Sequence, residues 1–216
     1  MNENSKIVKM IKNKLEEKMG ASAMDINVEY QNGFVRLSGF VDVLAEKTFT
    51  EEIVGTIDGI KDIENNITIC MDGEVTDSHI TAEIDRNFKQ SKISNHLKKV
   101  STKVCGGSAV LRGSVNTLGD ELRAIELAKQ ARGVKDVVSN LDILSSRRYD
   151  DATLKSKINQ IFSNTHDIDL SVNKGKVTLK GHVKNSGDME AAIELAADVE
   201  GVTHVTNQLK VRKKGH

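Results

Sequence analysis

The sequence contains no proline and no tryptophan, and only two tyrosines and five phenylalanines. The absence of proline excludes polyproline linkers and proline-based docking motifs. The scarcity of aromatic side chains argues against a surface on which nucleic-acid bases would stack. Because its net charge is zero, the chain also lacks the concentrated positive charge of a dedicated nucleic-acid-binding protein. We therefore expect no nucleic-acid partner.

Long apolar runs are missing as well. No segment approaches the roughly 18 consecutive apolar residues that a membrane-spanning helix needs. The first twenty residues, MNENSKIVKMIKNKLEEKMG, lack the apolar core of a signal peptide. The two cysteines, Cys70 and Cys105, show no metal-binding or redox spacing. We expect a cytoplasmic protein with reduced cysteines, with access to the inner face of the membrane.

A repeat is the main positive feature of the chain. Three glycines are each followed by another glycine 20 positions later. The segments before the first glycines are GFVRLSG, GSAVLRG and GKVTLKG, and both landmarks advance by 74 and then 68 residues. Such regular spacing predicts three copies of one structural unit. The glycine pairs are Gly39 and Gly59, Gly113 and Gly133, and Gly181 and Gly201.

Each copy predicts the element order α-β-β-α-β. A helical apolar stripe precedes two alternating strands joined by a glycine-containing turn, and a second helix and a third strand follow. We predict an α+β fold of three tandem units. In each, two helices cover one face of a small three-stranded mixed sheet, and the second helix stops at Gly59, Gly133 or Gly201. The pattern leaves open which strand lies beside the third. We place the domains at residues 1–72, 76–147 and 150–214.

The motifs V-x-L-x-G and G-V-x-x-V-x-N-x-L resemble those of the BON domain, which is named after bacterial osmotically inducible and nodulation proteins. The third copy matches best, and the second is the most divergent. The third copy matches through Val177, Leu179, Gly181, Gly201, Val202, Val205, Asn207 and Leu209.

The resemblance implies a non-enzymatic module without a cofactor. BON proteins are associated with osmotic and envelope stress and with phospholipid surfaces, and one cytoplasmic relative binds potassium. Three hypotheses follow. The chain binds anionic phospholipid or a membrane-associated partner, or it binds potassium through backbone carbonyls between the copies, or it is a protein-interaction scaffold. Exposed sheet edges also allow a homo-oligomer.

The candidate lipid-binding segment lies in the second copy, which is the basic one. Residues 1–72 hold 8 Lys and Arg against 13 Asp and Glu, whereas residues 73–148 hold 13 against 9. The segment KQSKISNHLKKVSTK carries five lysines and no acid, with Ile93, Leu97 and Val100 spaced as on a helix. A basic amphipathic segment attracts anionic headgroups, although the same pattern also fits a solvated face over a buried stripe. The lysines are Lys89, Lys92, Lys98, Lys99 and Lys103.

Other reactive side chains give no site. The histidines have no partner at i+4 and no cysteine at ligand spacing, so we predict no metal site. Paired carboxylates such as Asp150 and Asp151 fall at predicted helix starts, where they cap the helix. Gly106 and Gly107 lack the lysine and hydroxyl of a phosphate-binding loop. We predict no catalytic residues. The six histidines are His79, His96, His166, His182, His204 and His216.

Overall fold

The structure is a computed structural model that describes residues 3–70, 75–144, 149–162 and 167–212. The domain ends that we place at residues 1, 72, 147 and 214 lie outside these ranges, as do His166 and His216.

Each repeat has the predicted element order. The first contains α1 (Glu3–Met19), a short 3-10 helix (Gly20–Ala23), β1 (Ile26–Gln31), β2 (Phe34–Val41), α2 (Leu44–Gly55) and β3 (Asp62–Ile69). The second contains α3 (Asp77–Gln90), β4 (Val100–Cys105), β5 (Ser108–Val115), α4 (Leu118–Lys129) and β6 (Asp136–Ile143). The third contains α5 (Asp151–Ile161), β7 (Ile168–Asn173), β8 (Lys176–Val183), α6 (Ser186–Ala197) and β9 (His204–Val211).

The three strands of each repeat form a sheet with the middle strand at its centre, in the orders β1-β2-β3, β4-β5-β6 and β7-β8-β9. In the first sheet β1 pairs antiparallel with β2, and β3 pairs parallel with β2. The third sheet repeats both pairings. The mixed α+β fold is therefore confirmed, and the question that the sequence left open is settled, since the third strand lies beside the second.

Two compact units divide the chain, and the division runs through the second repeat. The first comprises Met1–Gln90, Thr102–Val110 and Glu126–Val138, and the second comprises Ser91–Ser101, Leu111–Ile125 and Ser139–His216.

The core of the first unit forms where α1 and α2 cover one face of their sheet. Ile11 and Leu15 of α1 and Val54 of α2 are fully or almost fully buried against Val35 and Leu37 of β2. The alternation of β2 sends these two valine and leucine side chains inward and their neighbours outward. Burial of such side chains contributes about 1.5–3 kcal/mol each.

In the second unit, the core of the third repeat includes a residue from the second. Leu118, the first residue of α4, packs in the same cluster as Leu154, Ile158 and Leu179, and it is 9% exposed. Nearby, Arg123 of α4 donates two hydrogen bonds to Asp198, at 2.7 and 2.8 Å. The two repeats therefore share both apolar and ionic contacts within this unit.

The first glycine of each pair allows a close approach between two backbone segments. Gly39 has φ +120°, and a Cβ there would lie 1.9 Å from the carbonyl oxygen of Asp25. Gly113 and Gly181 repeat this close approach.

The prediction that the second helices stop at Gly59, Gly133 and Gly201 is wrong. They end at Gly55, Lys129 and Ala197, because a turn of several residues precedes the positive-φ glycine.

Candidate binding surfaces

The five candidate lysines are all exposed, but they do not lie on one helix. Lys89 lies in the last turn of α3, which ends at Gln90. Residues 91–99 form successive turns, and Lys103 lies on β4. The helical stripe expected from Ile93, Leu97 and Val100 is therefore wrong, because α3 ends before the first of these residues.

The turn segment 91–99 belongs to the second unit and holds three of these lysines, Lys92, Lys98 and Lys99. Local backbone hydrogen bonds order it, such as those from the amide of His96 to the carbonyl of Ile93 and from the amide of Val100 to that of Leu97. Leu97 is 3% exposed and anchors the segment. The three lysines therefore project from an ordered turn segment, and the buried apolar side chain of that segment, Leu97, packs inside the protein.

A buried carboxylate attaches the same segment to α4. Asp120 is 2% exposed, and its carboxylate lies 2.8 Å from Nδ1 of His96. It also accepts a hydrogen bond from the amide of Thr117, while the Thr117 hydroxyl accepts one from the amide of Asp120. This reciprocal arrangement is a capping box. It satisfies a carboxylate that would be costly to bury alone.

The first repeat has an equivalent attachment. There Glu46 of α2 accepts a hydrogen bond from the Ser22 hydroxyl at 2.6 Å and one from the amide of Asp42. Both acids lie seven residues after the strand glycine, Gly39 or Gly113. Neither attachment was predicted from the sequence. In the second repeat the Thr-x-x-Asp spacing at the start of α4 signals the capping box, but nothing in the sequence signals the contact with His96.

The glycine-containing turn of the second repeat is not an anion site. The amides of Gly106 and Gly107 both donate to the carboxylate of Asp77, at 2.8 and 3.0 Å. Asp151 accepts in the same way from Lys174 and Gly175. Since a side chain of the protein already satisfies these donors, the turns have a structural role.

Two further polar side chains, those of Asp150 and Asn65, also have structural partners. Asp150 caps α5 by accepting from the amide of Thr153 at 2.7 Å. That hydrogen bond holds the pKa of the Asp150 carboxyl below its usual value. Asn65, which stands in the first copy where Asn207 stands in the third, donates to the carbonyl of Lys47 and so ties β3 to α2. Cys70 and Cys105 are exposed free thiols.

Within the described ranges, no group of three or more His, Cys, Asp or Glu residues could hold a metal ion. Residues 71–74 and 145–148, which link the copies in the sequence, lie outside those ranges, and the potassium site between the copies stays a prediction. Across the part of the chain that the structure describes, no helix combines the length and apolarity needed to cross a bilayer.

The chain is similar to proteins that are already known. The chain is 26% identical over 147 residues to osmotically-inducible protein Y of Escherichia coli (strain K12), a match that spans 64% of this chain and 72% of that protein. It also resembles the C-terminal domain of CdsD, a structural protein of the type III secretion system of Chlamydia trachomatis. That match has 14% identity and a TM-score of 0.27 and covers 96% of this chain and 98% of that one. A similarly low TM-score, 0.23, relates it to the periplasmic domain of PrgH from S. typhimurium, with 10% identity and coverage of 92% and 99%.

The family comparison is the decisive one. The BON domain matches three times, at residues 3–71, 76–145 and 150–213, and so covers almost the whole chain. The glycines and apolar residues through which the sequence resembles that family are the ones that build the sheets and their cores. The chain is a member of the BON domain family, with three tandem copies of the domain.

Proposed function

We propose that this protein is a non-catalytic, stress-associated binding protein that attaches to anionic phospholipid at the cytoplasmic face of a membrane. The observation that carries the proposal is the ordered turn segment 91–99, which presents Lys92, Lys98 and Lys99 to solvent. A role in osmotic stress is supported by the name of the relative from Escherichia coli. The free thiols of Cys70 and Cys105 suit a reducing compartment.

The expected attachment is electrostatic. Each lysine near an anionic membrane surface contributes about 1 kcal/mol, so three give weak, reversible binding. Insertion into the bilayer is not part of the proposal, because Leu97 is buried in the protein and the segment has no amphipathic helix to lay on the surface. Binding should therefore weaken as added salt shortens the range of the attraction.

Co-sedimentation with vesicles tests the proposal. We expect the protein to sediment with vesicles that contain an anionic phospholipid and to stay in the supernatant with zwitterionic vesicles. The double variant Lys98→Glu with Lys99→Glu should lose at least about 90% of the binding. It removes two attractive charges and adds two repulsive ones, so the binding free energy weakens by roughly 4 kcal/mol at about 1 kcal/mol per charge.

The matched control is Lys9→Glu with Lys12→Glu, two exposed lysines of α1. It changes the net charge of the chain by the same amount, and we expect it to bind like the unmodified protein. Equal binding to both kinds of vesicle, or equal loss in the control, would contradict the proposal.

A further inference from the structure

The sheets of the first and third repeats each have one face covered by helices and one face whose side chains are exposed. The exposed faces carry charges of opposite sign. We define the acidic face as the outward residues of β1, β2 and β3, and the basic face as those of β7, β8 and β9. The acidic face contains Asn27, Glu29, Gln31, Phe34, Arg36, Ser38, Phe40, Asp62, Glu64, Asn66 and Thr68. The basic face contains Asp169, Ser171, Asn173, Lys176, Thr178, Lys180, His182, His204, Thr206, Gln208 and Lys210.

The acidic face has three carboxylates and one guanidinium, a net charge of −2. Arg36 lies at its centre, 2.8 Å from Glu64 and 3.8 Å from Glu29. The hydrogen bond from Arg36 lowers the pKa of the Glu64 carboxyl, so this acid stays ionised near neutral pH. Asp62 lies next to Phe34 in the register of β2 and β3 and adds a further negative charge.

Two phenylalanines flank these charges. Phe34 and Phe40 are each 56% exposed, although phenylalanine is among the residue types most often buried. They lie near opposite ends of β2 and point to the same side, since six residues separate them on a strand. An aromatic ring beside carboxylates is a favourable place for an ammonium group, which can interact with both.

The basic face has the reverse composition. Lys176, Lys180 and Lys210 are exposed, and Asp169 is the single acid among the outward residues of its three strands, giving a net charge of +2. His182 and His204 are also exposed on this face. By sheet register, Lys176 and His182 occupy the positions that Phe34 and Phe40 occupy in the first repeat.

We propose that the acidic face of one copy of this chain docks on the basic face of a second copy. Lysines of the basic face then approach the carboxylates and the rings of Phe34 and Phe40. Because the two faces differ, the contact is heterologous, and a docked pair keeps one free acidic face and one free basic face. A heterologous contact of this kind builds either a closed ring or an open chain of copies.

The size of the faces sets the strength of the contact. An eight-residue strand in a three-stranded sheet gives a face of about 26 Å by 14 Å, or roughly 370 Å². Stable complexes bury about 800 Å² on each partner. The contact is therefore weak, it appears only at high protein concentration, and it depends strongly on salt because charge complementarity supplies much of it.

A second copy explains more of the molecule than a membrane would. An anionic membrane surface would use the lysines of the basic face and leave the acidic face and its two phenylalanines without a role. A second copy engages both faces.

Sedimentation velocity without lipid tests the proposal on the full chain. At low salt we expect species larger than the monomer to increase with protein concentration. At about 1 M salt, where the Debye length is about 3 Å, the dissociation constant should rise at least tenfold. A monomer at every concentration and salt would overturn the proposal.

Charge reversal makes the test specific. Lys176→Glu with Lys180→Glu turns the basic face negative, and Asp62→Lys with Glu64→Lys turns the acidic face positive. Neither variant should associate alone, because both of its faces then carry the same sign. An equimolar mixture of the two should associate again. A mixture that stays monomeric while each variant keeps the circular dichroism spectrum of the unmodified protein would overturn the proposal.

The control is again Lys9→Glu with Lys12→Glu, which should associate normally. Lys98→Glu with Lys99→Glu should also self-associate, so a failure of the proposed membrane attachment is distinguishable from a failure here. If the unmodified protein is monomeric and the Lys176 and Lys180 variant loses vesicle binding, the basic face is a membrane surface and the docking proposal is wrong.

Discussion

Some positions in this protein accept only glycine, because neighbouring backbone atoms leave no space for a side chain. The strand glycines are the clearest case, because each passes directly against a carbonyl group of the segment before the first strand. For Gly39 that group is the carbonyl of Asp25, whose oxygen accepts a hydrogen bond from the amide of Phe40 at 3.3 Å. The glycine therefore permits a backbone contact that closes the start of the sheet.

We expect Gly39→Ala to destabilise the first repeat by about 2–3 kcal/mol. The added Cβ would lie 1.9 Å from the oxygen of Asp25, and φ of +120° disfavours any side chain. Chemical denaturation of the full chain measures the change. The control is Gly55→Ala, where the nearest atom is the Ile63 Cδ1 at 3.9 Å. It should be neutral or slightly stabilising, since alanine favours a helix more than glycine does. Equal losses in the two variants would contradict the steric explanation.

The sequence predicted the strand residues of the repeat well, because the same pattern recurs in the three copies. The alternation that includes Val35 and Leu37 predicts a strand with one buried side, and both side chains are buried. The attachment of His96 to Asp120 was not predicted, because it joins residues 24 positions apart and only the fold brings them together. The helical stripe through Ile93 and Leu97 was wrong for a related reason. Apolar residues at helical spacing also fit a series of turns when one of them, Leu97, anchors the segment in the core.

At the scale of elements, helix starts carry much of the polar order. Asp150 caps α5, Asn185 caps α6 by accepting from the amide of Asp188 at 2.9 Å, and Thr117 with Asp120 caps α4. Each cap satisfies amide groups that have no partner inside the helix. The caps therefore fix where the helices begin, whereas the predicted helix ends at the glycines were several residues too late.

The Asp150 cap gives a pH-dependent prediction. Its pKa is lowered in the folded protein, first by the backbone hydrogen bond from Thr153. The stabilisation is therefore present above the ordinary aspartate pKa of about 3.9 and is lost as the pH falls through the lower folded value. Asp150→Asn keeps a capping oxygen but does not titrate. We expect its thermal midpoint to fall less than that of the unmodified protein between about pH 5 and pH 2.

Asp150→Ala separates the two contributions of this residue. It loses the cap at every pH, so its midpoint should be lower than that of Asp150→Asn already at neutral pH. If the unmodified protein and Asp150→Asn lose stability in parallel throughout the acid range, the carboxylate is not the group that titrates.

In the whole molecule, contacts between repeats add to the stability of each. A single repeat of about 65–70 residues buries only about 60% of its unfolded surface and is marginally stable alone. Within the second unit, Leu118 packs into the core of the third repeat, and the same helix presents Arg123 to Asp198. The absence of a side chain at Gly119 permits this approach, since a Cβ there would lie 1.9 Å from Oδ1 of Asp198. Neither contact could be predicted from the repeat pattern. Leu118 has the same residue, Leu44, as its counterpart in the first copy, whereas the counterparts of Arg123 are Phe49 and Ala191.

We predict that the apolar contact contributes more stability than the ionic one. Leu118→Ala should cost about 2–3 kcal/mol, because it opens a cavity in the core of the third repeat. Arg123→Ala should cost less than about 1 kcal/mol, since the side chains of Arg123 and Asp198 are 39% and 43% exposed and solvent screens them. Denaturant unfolding at low and high salt measures both. Only the Arg123 effect should shrink as salt is added.

The control for this comparison lies on the same helix. Leu122 is 43% exposed, so Leu122→Ala should change stability by less than about 0.5 kcal/mol. It separates the burial of Leu118 from any general effect of alanine in α4. A larger loss from Arg123→Ala than from Leu118→Ala would show that the ion pair holds the repeats together. Salt would then loosen the second unit itself, and the salt dependence expected for vesicle binding and self-association would have to be measured against that change.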